Sequence, residues 1–543
     1  MKKNILFIMA DQLRYDYLGC NGHPSIQTPN IDALAARGVN FTNAFCQSAV
    51  CGPSRMSFYT GRYVFTHGGT WNNIPIRVDE HTMGDFLRPL GYRVGLVGKT
   101  HFQRDLEGMK KLGISPESDL GVLISESGFE PWERDDGLHP DQSVSPDLAY
   151  NMYLREMGYE GENPWHSVAN SALGDHGELL TGWAMRNVDR PARVDKAHSE
   201  TAYMTDRAIE VIKNLGDETW CLHVSYIKPH WPYMAPDPYH KMYSKDDILP
   251  PIRCEEEIQT RHPVVDAYAK HEESINFSKD ACRERVIPSY MGLISELDAN
   301  IGRLIKFLEN EGKIDDTIIV LTSDHGDYLG DHWLGEKELF YESAIRIPMI
   351  IIDPGHEASP TRGTSIDEFV ESIDLIPTFL EMAGSPNKHD HILEGRSLLP
   401  LLHSNLEHSW RDATFCEMDY CIRHARNTLA RTVDKCRAYM VREKKWKYAY
   451  FNGFDPQLFD LENDPKELND LGKDPKYSAT RERLFRKLFE WISERQIRKT
   501  ISKDVIAERT GSSKKRGYLF GVCLLYTSPS PRDSNLSRMP SSA

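Results

Sequence analysis

Short, unbroken apolar runs alternate along this chain with longer segments in which apolar residues return every three or four positions. That is the pattern of buried strands interleaved with amphipathic helices. Ile5-Leu-Phe-Ile-Met-Ala10 predicts a first buried strand over 4–10. Thr28 to Gly38 predicts a helix with Ile31, Leu34 and Ala35 facing inward, Thr28 as cap, Pro29 at the first position and Gly38 ending it left-handed. A second helix opens near Pro53 and ends near Gly61. Thr82–Leu90 reads as a short helix, Tyr92–Gly98 as a strand, Ser199–Leu215 as a helix and Trp220–Ile227 as a strand. Between 290 and 311, Ile294, Leu297, Ile301, Leu304, Ile305 and Leu308 keep the helical period, and Gly312 closes it. Thr317–Ser323 is continuously apolar, as in a parallel sheet covered on both faces. A smaller α+β region with an antiparallel sheet begins near Leu398. Its strands are 438–441 and 446–450, and its terminal helix is 481–497 with Leu484, Leu488 and Ile492 on one side.

A length of 543 residues exceeds what one core usually organises, so two domains are expected, 1–397 and 398–522. A net charge of −15 argues against general nucleic-acid binding while leaving room for a local basic pocket. Ten cysteines without regular spacing give no support for structural zinc or disulfide stapling. The apolar run after Lys2-Lys3 is too short for a signal peptide, and no window supplies the roughly 20 apolar residues of a membrane span, so a cytoplasmic location is expected. Residues 523–543 look like translated sequencing adapter, so the natural C-terminus is expected to differ. The Gly-, Pro- and charge-rich stretch 104–190 shows few periods and reads as a substrate rim of long insertions.

Candidate chemistry collects just past the strand ends, where open α/β sheets hold their ligands. Asp11 and Gln12 follow the first strand, Lys99 and His101 the strand 92–98, and Asp324 and His325 the strand 317–323. Strand 220–227 leads into Pro229-His-Trp-Pro-Tyr233, whose prolines stiffen the loop carrying His230. Cys51-Gly-Pro-Ser-Arg55 places a sulfur and an arginine at a helix start whose free N–H groups favour an anion. Taken alone, Cys51 is either a buried thiol or a reactive sulfur, Asp11 a turn cap or a ligand, and His325 a ligand or its support.

The run Cys51-Gly-Pro-Ser-Arg55 resembles the Cys-x-Pro-Ser-Arg signature of the type I sulfatases, in the alkaline phosphatase superfamily. Gly98-Lys-Thr-His101 resembles that family's Gly-Lys-x-His element, and Pro229-His-Trp-Pro232 its Pro-His-x-Pro element. The likeness runs from about Lys3 to about Leu471, taking in Arg346–Ile352 as a core strand, Ser372–Leu380 as a helix and Gln457–Leu471 as a closing hairpin. It implies an α/β fold with a large mostly parallel or mixed sheet flanked by helices, and hydrolysis of sulfate esters. It also implies oxidation of Cys51 to formylglycine by a formylglycine-generating enzyme, the hydrated aldehyde then being the nucleophile.

By the same resemblance, Arg55, Lys99 and Lys337 offset charge on the sulfuryl oxygens, His230 protonates the leaving oxygen and His101 helps expel sulfate. One divalent ion is held by Asp11, Gln12, residue 51, Asp324 and His325. Calcium is the family ion, whereas the imidazole of His325 suits Mn²⁺ or Zn²⁺ better. The alternative is a phosphonate monoester or phosphodiester hydrolase. Gln12, His325 and the substrate-contact position of Asn72 point that way, and Lys99 with His101 points back to sulfate esters. Asp16 is expected as a supporting residue, and Asp331, His332, Trp231 and Tyr233 as candidates for the pocket wall.

Overall fold

A computed structural model describes residues 2–141, 145, 147–406 and 409–511; the adapter-like stretch 523–543 lies outside the described residues. Met1–Ile497 form one compact unit. The second unit, from Arg498, holds the helix Lys503–Arg509.

The strands are β1 (Asn4–Asp11), β2 (Val39–Phe45), β3 (Arg93–Gly98), β4 (Glu130–Arg134), β5 (Ser171–Leu173), β6 (Leu179–Thr181), β7 (Trp220–Pro229), β8 (Thr317–Ser323), β9 (Arg346–Ile347), β10 (Met349–Ile352), β11 (Thr364–Glu371), β12 (Ala413–Asp419), β13 (Arg437–Glu443), β14 (Trp446–Phe451) and β15 (Gln457–Asp460). A large mixed sheet runs β11-β2-β10-β8-β1-β7-β3-β4, with β9 paired to β2. Its centre, β8-β1-β7-β3, is parallel throughout. β10 is antiparallel to both β8 and β2. A second sheet, β12-β13-β14-β15, is wholly antiparallel, as expected for the C-terminal region.

The unbroken apolar runs have a simple cause. Side chains alternate across a strand, and both faces of this sheet are covered. Ile5, Phe7, Met9, Ile318 and Val320 enter one core, while Leu6, Ile8, Ala10, Ile319 and Leu321 enter another. The first core continues into the C-terminal sheet through Cys416, Met440 and Phe451.

Several local expectations change. Thr28 makes no capping bond; its hydroxyl instead accepts the Gly19 N–H at 2.9 Å. Gly38 has φ −122° and is not left-handed. A Cβ there would lie 2.4 Å from the Ile351 carbonyl oxygen, so close backbone approach is what excludes a side chain. Ile492 is 37% exposed, whereas Leu484 and Leu488 are buried. The helix expected over 290–311 begins at Asp280 and carries Pro288 in its interior. Burial of Val286, Ile287, Tyr290 and Met291 in the second core offsets the lost backbone bond. Among the described residues no helix is long and apolar enough to cross a membrane.

That long helix also buries Glu296 beside Glu200 and Lys228, two residues ahead of His230. Burial pushes the Glu296 carboxyl up to about 7, against the opposing pull of Ser199 and Lys228. The folded chain therefore holds a proton that the unfolded chain releases nearer pH 4.5, and stability falls as pH rises from there through 7. Between pH 4.5 and 7.5 the wild type should lose about 3 kcal/mol more than Glu296→Gln, read as the divergence of their denaturant midpoints.

Candidate active site

Four adjacent parallel strands, in the order β8, β1, β7, β3, end on the same side of the sheet. Their carboxyl ends deliver Asp324 and His325, Asp11 and Gln12, His230, and Lys99 and His101. Above them starts the helix Cys51–Thr60, whose first residue is Cys51 and whose end is Gly61 in the left-handed region at φ 66°. Every residue of this helix is buried, so its first turn is pressed onto the sheet.

Ligand atoms from Asp11, Cys51, Asp324 and His325 lie within 4.8 Å of one another, all buried. His325 Nδ1 bonds to the Gly326 carbonyl oxygen at 2.8 Å, which turns Nε2 toward the Cys51 sulfur, 3.2 Å away. The Gln12 backbone, at φ 66°, donates its N–H to Asp324 Oδ1 at 3.0 Å and so ties two strand ends together. Its side-chain nitrogen is given to Asp327, leaving Oε1 facing Lys337 at 3.2 Å. Two carboxylates and an imidazole oriented through its other nitrogen make a donor set that fits one divalent cation.

Positive charge rings this group. Lys337 Nζ lies 3.0 Å from the Cys51 sulfur and 3.2 Å from His230 Nε2. Lys99 pairs with Asp11 Oδ2 at 2.6 Å. Burial pushes the Cys51 thiol up, but Lys337, Lys99 and His325 outweigh it and hold it well below the usual thiol value. Asp11 is likewise held below the ordinary carboxylate range, because Lys99, His230 and Arg55 overcome burial and the Cys51 charge. Lys337 is kept protonated against burial by Cys51, Asp11 and Glu336. His230 falls to about 4, through burial and then Lys337. Its Nδ1 is bonded to the Trp231 carbonyl oxygen at 2.7 Å, so Nε2 is the atom presented to the site.

Two residues expected at the substrate lie one layer out. Arg55 is fully buried and commits its donors to the protein: Nε to Asp324 Oδ2 at 2.9 Å, Nη2 to Asp11 Oδ2 at 3.1 Å, and Nη1 to the Lys99 carbonyl and Ser225 hydroxyl at 2.9 and 2.6 Å. Asn72 Oδ1 accepts the Gly52 N–H at 2.7 Å and so holds the start of the Cys51 helix. His101, at φ 53°, is shaped by Asp136, whose Oδ1 accepts the N–H groups of both Thr100 and His101 at 2.9 Å. Its imidazole acts on the Cys51 sulfur.

The supporting residues sort clearly. Asp16 grips Arg14, which reaches Asp331 at 2.8 Å. Asp331 and His332 are buried with partners of their own, the second bonded to Glu257 at 2.6 Å, so neither forms a rim. Tyr233 is also buried, its hydroxyl donating to Asp327 at 3.1 Å, whereas Trp231 is partly exposed and packs against His230. Asp327, Asp136 and Ser225 carry real parts of this support and were not singled out from sequence. For Asp327 a signal existed, since it ends Asp324-His-Gly-Asp327, three residues past the first carboxylate.

A buried cluster of carboxylates, imidazole and sulfur at the carboxyl ends of a mixed α/β sheet, ringed by lysines, defines a hydrolase site for tetrahedral anions. The sulfatase family profile matches residues 3–385, and that of the N-sulphoglucosamine sulphohydrolase C-terminal region matches residues 330–494. The chain belongs to the sulfatase family, the sulfuric ester hydrolases. It is 30% identical over 530 residues to the multifunctional alkaline phosphatase superfamily protein PehA of Trinickia caryophylli, covering 90% of this chain and 95% of that one. An arylsulfatase of Clostridium perfringens is 29% identical, with 88% of this chain and 92% of the relative covered. The solved phosphonate monoester hydrolase of Silicibacter pomeroyi superposes with a TM-score of 0.80 at 26% identity, covering 93% of this chain and 98% of that one.

Proposed function

We propose that the protein hydrolyses sulfate esters of small alcohols or phenols, after oxidation of Cys51 to formylglycine by a formylglycine-generating enzyme. The observation that carries this reading is the convergence of the Cys51 sulfur with Asp11, Asp324 and His325 inside 4.8 Å, beneath Lys337 and His230. A hydrated aldehyde at position 51 supplies the attacking hydroxyl. One divalent ion, which Asp11, Asp324, His325, residue 51 and the Gln12 amide oxygen would hold, would supply Lewis acidity, and the nitrogen ligand favours Mn²⁺ or Zn²⁺ over the Ca²⁺ that the family suggests.

The other steps fall to the chain itself. Lys337 and Lys99 bring two ammonium groups to the same small volume, where low dielectric strengthens their hold on the oxygens of the ester. His101 takes a proton from the residue-51 side chain in this reading. His230, fixed through Nδ1, delivers a proton from Nε2 to the departing oxygen, and an anion drawn in beside Lys337 offsets the charge that, after burial, does most to keep this imidazole neutral.

Hydrolysis of phosphonate monoesters is the second reading. It is favoured by the 0.80 superposition on a phosphonate monoester hydrolase and by Gln12 and His325 in the metal-binding group. The deciding experiment pairs 4-nitrophenyl sulfate with 4-nitrophenyl phenylphosphonate on protein whose residue 51 has been shown to carry an aldehyde. A larger kcat/KM for the sulfate supports the first reading, and a larger one for the phosphonate overturns it. His230→Asn should cost about 10²-fold in kcat for esters of poorly leaving alcohols and much less for the 4-nitrophenyl ester, which needs little help from an acid. Equal losses on both would remove His230 as proton donor.

A further inference from the structure

The strap that carries Lys337 departs from ordinary backbone geometry. Leu329, His332, Trp333, Glu336, Glu338 and Leu339 all have positive φ, between 47° and 80°, although none is glycine. L-residues avoid this region, so a segment left to itself would relax and carry Lys337 away with it. Local bonds such as the Tyr328 hydroxyl to the Glu338 carbonyl oxygen at 2.7 Å oppose relaxation, and further hold comes from far along the chain. The three residues after Lys337 are each gripped by a different part of the C-terminal sheet region. Arg423, just ahead of the short helix His424–Thr428, pairs through Nε with Glu338 Oε1 at 3.0 Å. The Leu339 N–H meets Met418 Sδ of β12 at 3.3 Å. Lys447 of β14 donates to the Phe340 carbonyl oxygen at 2.9 Å. From the other side, the Glu338 N–H bonds to the carbonyl oxygen of Ala49, two residues before Cys51, at 2.9 Å. Glu338 thus links the nucleophile's own approach segment to the C-terminal region, with Lys337 beside it.

We infer that Arg423 is a positioning residue for Lys337: its ion pair with Glu338 lets the C-terminal region hold the anion-binding ammonium over residue 51. Arg423 reaches the strap through Glu338, the residue after Lys337. Its other contacts are His271 Nδ1 at 2.9 Å, Glu273 and the Tyr268 ring, which anchor it to helices on the catalytic side. The ion pair is only partly exposed, with Arg423 27% and Glu338 6% accessible, so solvent screens it less than a surface pair. The inference rests on the reading of Lys337 as the group that holds the substrate anion.

The test reads anion binding as well as turnover. Inorganic sulfate, the product anion, is titrated calorimetrically into metal-loaded protein for wild type, Arg423→Met, Lys337→Ala and the double variant, and kcat/KM for one ester is measured in parallel. Arg423→Met should weaken sulfate binding and kcat/KM each about tenfold, with Arg423→Lys recovering part of the loss. The double variant should be no worse than Lys337→Ala alone, because both changes remove the same interaction. Losses that multiply in the double variant, or a folded Arg423→Met with wild-type sulfate affinity, would overturn the inference. If Lys337→Ala binds sulfate as wild type does, the reading of Lys337 fails and takes this inference with it. Should Arg423→Met not fold, Glu338→Gln removes the same ion pair while keeping size and hydrogen bonding, and the same four-way comparison applies.

Discussion

Cys51→Ala should abolish turnover, with kcat falling on the order of 10⁴-fold or more, while leaving the fold intact. The size of the loss follows from the arrangement around the sulfur. Lys337 at 3.0 Å and His325 at 3.2 Å are turned toward one atom, and the nearby Lys99 adds its charge to the same group. Stability should hold because the buried thiolate is a poor structural element. Its charge pushes Asp11 upward, so its removal relieves a like-charge contact inside the site. Cys51→Ser makes the sharper probe. A serine hydroxyl can attack sulfur once, with His230 supplying the proton to the departing alcohol, but it carries no second hydroxyl through which sulfate could be expelled. One equivalent of alcohol should appear, followed by arrest, and the peptide containing residue 51 should gain the mass of a sulfate group. Continuous turnover by Cys51→Ala, measured on protein purified free of wild type, would remove residue 51 as nucleophile.

Legibility in the sequence followed the physics of each feature. The strands of the large sheet were readable because burial on both faces writes itself as continuous apolar runs such as Ile5–Ala10 and Thr317–Ser323. Their order was not readable, since pairing β8-β1-β7-β3 depends on crossovers whose direction leaves no local mark. Residues at strand ends, such as Asp11, Asp324 and Lys99, could be found as soon as the strands were placed. Asp136 and Ser225 could not, because each acts through bonds to backbone or guanidinium groups distant in sequence, and no period or spacing announces them. The stretch 104–190 gave little because its elements are short. The helix Leu106–Leu112 spans two turns and β5 three residues, too few for a period to emerge. Gly38 shows a subtler limit. A helix-ending glycine was expected for its left-handed freedom, while its actual requirement is the carbonyl of Ile351, more than 300 residues away in sequence.

Arg55 carries the second large prediction, because its place separates two accounts of the same motif. If Arg55 met the sulfuryl oxygens directly, Arg55→Lys would mainly raise KM and leave metal affinity and stability near wild type. The geometry points elsewhere. The guanidinium bridges Asp11 and Asp324, both fully buried, and its remaining donors hold the Lys99 carbonyl and Ser225, so the fork aligns the two carboxylates and the strand end that bears Lys99. A lysine is a single charged point and cannot reproduce that planar fork, so it should satisfy one carboxylate and leave the other to swing. Arg55→Lys is therefore expected to weaken divalent-ion binding about 10- to 100-fold, the usual cost of losing a partner that orients metal ligands. Arg55→Met should cost the metal-free protein roughly 3–5 kcal/mol, because it strands buried carboxylate charge, Asp324 already being pushed up by burial and by Asp11. Adding the divalent ion should restore part of that stability, since the cation supplies charge to the same two oxygens. Calorimetric titration of metal into each variant, with denaturant midpoints taken with and without metal, measures both quantities. A variant with wild-type metal affinity and a raised KM would return Arg55 to the substrate; coupled loss of metal affinity and metal-free stability fixes it as the brace between Asp11 and Asp324.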